Sequence, residues 1–453
     1  MKRYSEYKDS GVKWIGEIPR HWECRKLKTL LLSPLQYGAN ASGVPYSEHL
    51  PRYIRITDIT LEGKLKHSDK LSLSNEDAAK YILKDKDILF ARSGASVGKT
   101  FLYKKEYGLS AFAGYLIKAE LGKELIPELL FYFTQSDIYE SWKNGIFIQS
   151  TIQNIGADKY SQLQIALPPL PEQEAIVTYL DTKVAKIDEY ISIAEKKIAA
   201  LEELKQTIIA EAVTRGIHKD VPMKDSGVKW IGMIPEHWDL IRAQNMVDCR
   251  KAGAWGEDSR KDERDRICLR IADFDYSICR FKRTGDYTIR NYKQEQISSL
   301  YLNKGDILIE KSGGGEKTPV GRAILYDLDF YQPLYANFME KITLREFASS
   351  SFYVYLLRTF YAKGCVWKYI KQTTGLQNLD LRAMLGSETF PVPPLPEQQE
   401  IVTYLDSKVA NINQLCQAER SQIEKLKEYK QRLISDVVTG KVKVTNDSLN
   451  GRV

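Results

Sequence analysis

A chain of 453 residues, 43% apolar and 28% charged, exceeds what one hydrophobic core usually serves and reads as at least two globular domains. Its 66 Lys and Arg against 59 Asp and Glu leave a net charge of +7, compatible with a polyanionic partner without demanding one. No apolar run approaches the roughly eighteen residues that span a bilayer, and the opening MKRYSEYKDS lacks the apolar stretch of an export signal, so a cytoplasmic protein is expected. The cysteines Cys24, Cys249, Cys268, Cys279, Cys365 and Cys416 form no C-x-x-C pair and have no histidine at metal-ligand spacing. Neither a zinc site nor a disulfide framework is expected.

In chain order, the first feature is KDSGVKWIGEIP at residues 8–19, followed by His21-Trp22. It returns as KDSGVKWIGMIP at residues 224–235, followed by His237-Trp238, at a constant offset of 216 residues. Between the first copy and the chain's middle, YIRITDI, DILFARSG and YLIKAEL read as strands, and residues 127–143 form an aromatic-rich helical stretch. Then comes PPLPEQEAIVTYLDTKVAKI at residues 168–187, which returns as PPLPEQQEIVTYLDSKVANI at residues 393–412, offset by 225. In the second half ICLRIADF, DILIEKSGG and FMEKITL stand in the strand places and residues 350–362 in the helical one. The order is A-B-A′-B′, a tandem duplication whose second unit is nine residues longer. Recurring His-Trp with no catalytic constellation around it reads as a docking segment.

PPLPEQ ends a strand and starts a helix: Pro171 with Glu172 and Gln173 suits a first turn, where a missing N–H is harmless and negative charge is favourable. Val184, Ile187, Ile191, Ala194, Ile198 and Leu201 alternate spacings of three and four. Val409, Ile412, Cys416, Glu419, Ile423 and Leu426 do so in the same register, which is coiled-coil patterning. Each helix should stop at a glycine, the first near Thr214 before Gly216 and the second near Thr439 before Gly440. Each would be roughly 65 Å long and leave an apolar seam, most simply buried by antiparallel pairing of the two, with the modules at opposite ends. Glu203-Leu204-Lys205 lies in this pattern and reads as a solvated charged face.

SGASVGKT at residues 93–100 lacks the first glycine of a phosphate-binding Walker motif, and SGGGEKTPVGRA at residues 312–323 ends in Gly-Arg-Ala with no hydroxyl for magnesium. Both loops follow a strand, with a cation before Ser-Gly (Arg92, Lys311) and another after the later glycine (Lys99, Arg322). Two readings stand: close approach to nucleic-acid phosphates or groove edges, or a hairpin turn with solvated charges. No Asn/Asp-Pro-Pro-Tyr/Phe tetrapeptide occurs, and no catalytic centre is evident. Rival classes are a scaffold joining two proteins through its helices, and a nucleotide-dependent enzyme.

The A-B-A′-B′ order, the SGVKWIGEIPRHW and SGVKWIGMIPEHW openings and the PLPEQEAIVTYLD and PLPEQQEIVTYLD helix starts closely resemble the specificity subunit of type I restriction-modification systems, over nearly the whole chain. The resemblance implies an α+β fold: two mixed α/β target recognition domains separated by a long antiparallel two-helix coiled coil in a pseudo-two-fold tandem repeat. The divisions are then 1–170 and 217–395 for the recognition domains, 171–216 and 396–440 for the helices, and 441–453 for a tail. It further implies double-stranded DNA as ligand, two methyltransferase subunits as partners, and restriction/translocase subunits in the full complex. S-adenosylmethionine, ATP and magnesium belong to those partners, and this non-catalytic chain carries no cofactor or metal.

Residues identical in both modules cannot explain why two half-sites differ. Asp87, Ile88, Ser93, Gly94, Gln153 and Asn154, matched by Asp306, Ile307, Ser312, Gly313, Gln377 and Asn378, therefore read as scaffold or phosphate contacts. Sequence choice belongs where the modules diverge: residues 37–52 against 251–266, the glycine loops, and 149–151 against 371–373. The candidate DNA-binding residues are Arg55, Arg92, Ser93, Gly94, Lys99, Thr100, Gln149, Thr151 and Asn154, and in the second module Arg270, Lys311, Ser312, Arg322, Lys371, Gln372 and Asn378.

Overall fold

The computed structural model describes residues 2–60, 63–147, 153–315, 318–373 and 375–445. The chain divides into two compact units, Met1–Ile193 with Ser421–Val453, and Ala194–Arg420. Two long helices, Leu170–Arg215 and Leu395–Val438, are each divided between the units. Among the described residues no helix is long and apolar enough to cross a membrane.

Both units are built on the same plan. In the first, an antiparallel sheet runs Gln36–Tyr37, Leu116–Ala119, Ile88–Ala91, Thr100–Leu102. In the second the same order is Val247–Ala252, Met339–Leu344, Ile307–Glu310, Ala323–Leu325. DILF and DILI are near-continuous apolar runs because their strands are covered on both faces. Ile88 and Phe90 pack towards the helices with Leu129 and Ile176, while Leu89 and Ala91 pack with Ile54 and Phe112 of a second sheet. That sheet runs Ser110–Phe112, Arg52–Ile54, Leu71–Ser72, Val44–Pro45, and its first pair is parallel. Its counterpart is Leu334–Tyr335, Asp265–Leu269, Thr288–Asn291, Glu257–Asp258, again with a parallel first pair. Gly38 and Gly253 are required by close approach, since a Cβ on either would stand 2.4 Å from a backbone carbonyl oxygen, that of Ala113 or Ala336.

Two expected elements are shorter than their sequence suggests. The strand expected over YIRITDI ends at Ile54, and Ile56–Asp58 turns as a 3-10 helix. Asp58 accepts the Arg55 backbone N–H at 2.8 Å and its guanidinium at 2.9 Å, a local bond that competes with a sheet ladder. Arg270 and Asp273 repeat this turn in the second unit. The helical stretch at 127–143 is two helices, Pro127–Phe133 and Asp137–Phe147. Ser136 breaks it by donating to the Phe133 carbonyl and accepting the Tyr139 N–H at the start of the second.

The repeated motifs tie each module to its helix. Glu172 accepts from the Trp22 indole at 2.9 Å and the Tyr4 hydroxyl at 3.0 Å, and lies 2.7 Å from His21. Glu397 lies 2.8 Å from His237. Gln173, 1% exposed, accepts the Ile126 N–H and donates to the Glu124 and Pro168 carbonyls. Gln398 does the same for Ser349, Phe347 and Pro393, so each buried amide is satisfied. Asp181 and Asp406, from TYLD, accept the Tyr132 and Tyr355 hydroxyls at 2.5 and 2.6 Å. Gly216 and Gly440 stop the helices with φ of +74° and +72°, and each packs against the indole of the adjacent His-Trp segment.

Within the second unit, Lys205 meets Asn413 and Lys197 meets Glu419, so the helices run antiparallel there. Ala194, Val409, Ile412 and Cys416 are buried, as the three-four register requires. In the first unit Ile187 and Ile423 are buried and Leu426 and Leu433 pack on the same core as Ile176 and Leu180. One expectation is corrected: Lys205 is 1% exposed, not part of a solvated face, because it falls four residues beyond Leu201 on the seam. Its ammonium is held by Glu202 at 2.5 Å and Asn413 at 2.9 Å.

Candidate nucleic-acid interface

In the first unit four segments meet after the strand Ile88–Ala91. The Arg92 carbonyl accepts the Ile155 N–H at 2.8 Å, Ser93 bridges to Asn154, and the Arg92 N–H donates to the Tyr115 carbonyl at 3.0 Å. The Arg92 guanidinium lies 5.0 Å from the centre of the Tyr37 ring, a cation–π stack, and the Tyr37 hydroxyl accepts the Ala157 N–H. Asn40 sits against Gly114, where a Cβ would be 2.6 Å from its side-chain oxygen. The Arg92 Nε and the Asn154 Oδ1 are buried without a hydrogen-bond partner among the described residues.

The second unit repeats the joint with other side chains. Ser312–Gly313 pairs with Gln377 and Asn378, the Ser312 hydroxyl lies 2.7 Å from Asn378 Oδ1, and the Leu379 N–H donates to the Lys311 carbonyl at 2.8 Å. The Lys311 N–H donates to the Phe338 carbonyl at 2.8 Å, as Arg92 does to Tyr115. Lys371 and Gln372 are exposed on the adjoining strand Ile370–Thr373, with Lys371 2.8 Å from Asp380.

The structure therefore brings together Arg92, Ser93, Gly94 and Asn154 in one unit, and Lys311, Ser312, Lys371, Gln372 and Asn378 in the other. Lys99 closes the first glycine loop and is half-buried. The N–H groups of Val97 and Lys99 donate to the loop's own Gly94 and Ser96 carbonyls and that of Gly98 to Ala91 of the preceding strand, leaving those three none for a phosphate. Gln149 and Thr151 lie outside the described residues. Four candidates point elsewhere. Thr100 is 5% exposed and shares a 2.7 Å hydrogen bond with Thr134. Arg55 and Arg270 are occupied by Asp58 and Asp273. Arg322 donates to Glu310 at 2.9 and 2.6 Å and stacks 3.8 Å from the centre of the Tyr276 ring. Burial alone would lower its pKa, but the Glu310 carboxylate outweighs it and holds the guanidinium charged.

Asp87 and Asp306 form the frame beneath. Each is buried beside a buried lysine, Asp87 at 3.8 Å from Lys118 and Asp306 at 3.3 Å from Lys341. Burial pushes the Asp87 carboxyl above its ordinary range. Two residues the sequence reading passed over are Tyr115 and Phe338, which stand exposed beside the basic-Ser-Gly turn of each unit. The signal was available as AGYL against ANFM, but both had been read only as the starts of strands. Cations, hydroxyls, amides and exposed rings at the ends of two inner strands of a sheet are groups that contact phosphates and base edges.

The sequence matches the family described as Type I restriction modification DNA specificity domain over residues 53–203 and 269–425, more than half of the chain. The chain belongs to this family. Among curated relatives, the Type I restriction enzyme MjaVIII specificity subunit of Methanocaldococcus jannaschii is 26% identical over 81% of both chains. The EcoKI specificity subunit of Escherichia coli strain K12 is 21% identical over 94% of this chain and 90% of that one. A chain solved in work on complex assembly and conformational transition of the type I R-M system superposes with a TM-score of 0.70 at 17% identity, covering 94% of this chain and 99% of its own. The HsdS subunit from Thermoanaerobacter tengcongensis gives 0.50 at 19% identity, covering 94% of this chain and 98% of its own. At these identities the likeness is one of fold.

Proposed function

We propose that this chain is the DNA-recognition subunit of a type I restriction-modification complex, in which each unit reads one half of a bipartite, non-palindromic site. Partner subunits then methylate adenine and restrict: two methyltransferase subunits binding S-adenosylmethionine, and a translocating nuclease using ATP and magnesium. The observation that carries this reading is one frame built twice with different surface groups on it. Glu172 and Glu397 each meet the repeated histidine, and Gln173/Gln398 and Asp181/Asp406 make matching bonds in the two units, whereas the basic residue of the joint is Arg92, stacked on Tyr37, in one unit and Lys311 in the other. Equal frames hold the readers, and unequal loops let them read different bases.

The test is an adenine-methylation map of cells with and without the gene. Deletion should abolish one motif composed of two unlike halves around an unspecified gap. If every adenine-methylation motif survives deletion, the proposal fails.

A further inference from the structure

Tyr115 and Phe338 occupy the same place in the duplicated fold. Each follows a short turn, Ala113-Gly114 or Ala336-Asn337, between a strand of the second sheet and a strand of the central sheet. Each turn is closed by a backbone bond, Leu116 N–H to Ala113 at 2.8 Å and Met339 N–H to Ala336 at 3.1 Å. The flanking Leu116 and Met339 are fully buried, yet Tyr115 is 61% and Phe338 46% exposed. The carbonyl of each ring-bearing residue receives the N–H of the basic residue, Arg92 or Lys311, that begins the Ser-Gly loop. One exposed ring is unremarkable on a protein surface, but an exposed ring whose backbone is bonded to the basic residue of the Ser-Gly loop, at both copies of one position, is a repeated feature. Phenylalanine has no hydrogen-bonding group, so what the two positions share is an apolar aromatic face.

We propose that Tyr115 and Phe338 are DNA contacts, each ring packing against bases of the half-site read by its own unit while the adjacent cation meets the backbone. This rests on the reading of the chain as a DNA-recognition subunit. The occupant is argued from charge: Arg92 beside Tyr115, and beside Phe338 the Lys311 ammonium, 3.7 Å from Glu340 with its side chain still 40% exposed, suit a polyanion whose grooves also offer apolar surface such as thymine methyl groups, and duplex DNA does both.

The experiment is salt-dependent binding of the chain, in complex with its methyltransferase partner, to a duplex carrying the motif mapped from methylation. Tyr115→Ala and Phe338→Ala should each weaken binding by about fivefold or more, the loss expected when a buried apolar ring is removed from a contact. The slope of log affinity against log salt should not change, because no phosphate contact is lost. Tyr115→Phe should bind like the unchanged protein. Unchanged affinity in folded Ala variants overturns the proposal, as does a Tyr115→Phe loss equal to that of Tyr115→Ala. Tyr115→Trp gives a readout independent of affinity: its added emission should change on binding the duplex, and an unchanged emission counts against the contact. If the unaltered complex does not bind the duplex, the recognition reading itself fails. If it binds and only the ring variants are silent, that reading stands and the ring contact falls.

Discussion

Lys430 donates to Asp188 across the helix pair at 2.6 Å. The residues that correspond in the other repeat, Lys205 and Asn413, meet at 2.9 Å, so the duplication has placed one polar crossing at equivalent points of both units. In one crossing the acceptor is charged. In the other it is neutral, and Glu202 at 2.5 Å from Lys205 supplies the missing charge. Lys205→Met would remove a buried charge and leave little void, so stability should stay within about 1 kcal/mol of the unchanged protein or rise. Asn413→Leu leaves the ammonium with Glu202 alone and should cost about 2 kcal/mol. Urea unfolding of both variants decides it: a larger loss for Lys205→Met would contradict this account.

Tyr132 and Tyr355 anchor each module's helix to the long helices through Asp181 and Asp406. Burial first, and then the neighbouring carboxylate, push both phenols well above their ordinary range, so each remains a donor. Tyr132→Phe and Tyr355→Phe should each cost about 1 kcal/mol, the net worth of the lost bond, with no void created. Thermal unfolding should show similar losses for the two, because the bond is the same.

Arg322 and Arg92 look alike in sequence, each flanking a glycine loop, and should behave differently. Arg322→Ala leaves Glu310, whose side chain is 3% exposed, without its cation, at a cost of about 3–5 kcal/mol in stability. Arg92→Ala with Lys99→Ala should leave folding nearly intact, weaken duplex binding and flatten its salt dependence by close to one slope unit per lost phosphate contact. A folded double variant with unchanged affinity and slope would remove these residues from the interface.

Acid should loosen the joint at Glu172. Burial raises the pKa of this carboxyl, but the bonds from Trp22, His21 and Tyr4 together outweigh burial and hold it below its ordinary value. A depressed folded-state pKa stabilises above the unfolded value and is lost as pH falls through the folded one. Glu172→Gln should therefore be less stable than the unchanged protein near neutrality, and the gap should narrow below about pH 4. A gap that stays constant across that range would show that the charge is not what matters.

Much of this architecture was legible without coordinates. Local patterns are written in sequence order, so the duplicated KDSGVKWIG and PLPEQ motifs, the three-four register around Ile187 and Ile412, and Gly216 and Gly440 marked units, helices and stops directly. The strand expected over residues 53–59 failed because Asp58 bonds its own Arg55 backbone, a side-chain competition that a run of β-formers conceals. The cations of the two loops part company for a related reason. Arg92 and Lys311 lie at the joint, but a cation's partner is set by residues far along the chain.

By itself, then, the sequence determined periodicity, punctuation and repetition, because each depends on neighbours within a few residues. Tertiary structure alone decided which charges are spent and which are offered. Glu310 captures Arg322 from twelve residues away, and Lys205 is buried by its contact with Asn413, 208 residues on. It also raised Tyr115 and Phe338 beside the Ser-Gly turns, by backbone bonds from Arg92 and Lys311 that join separate strands. Desolvation and pairing act through space, and only the fold fixes what is near.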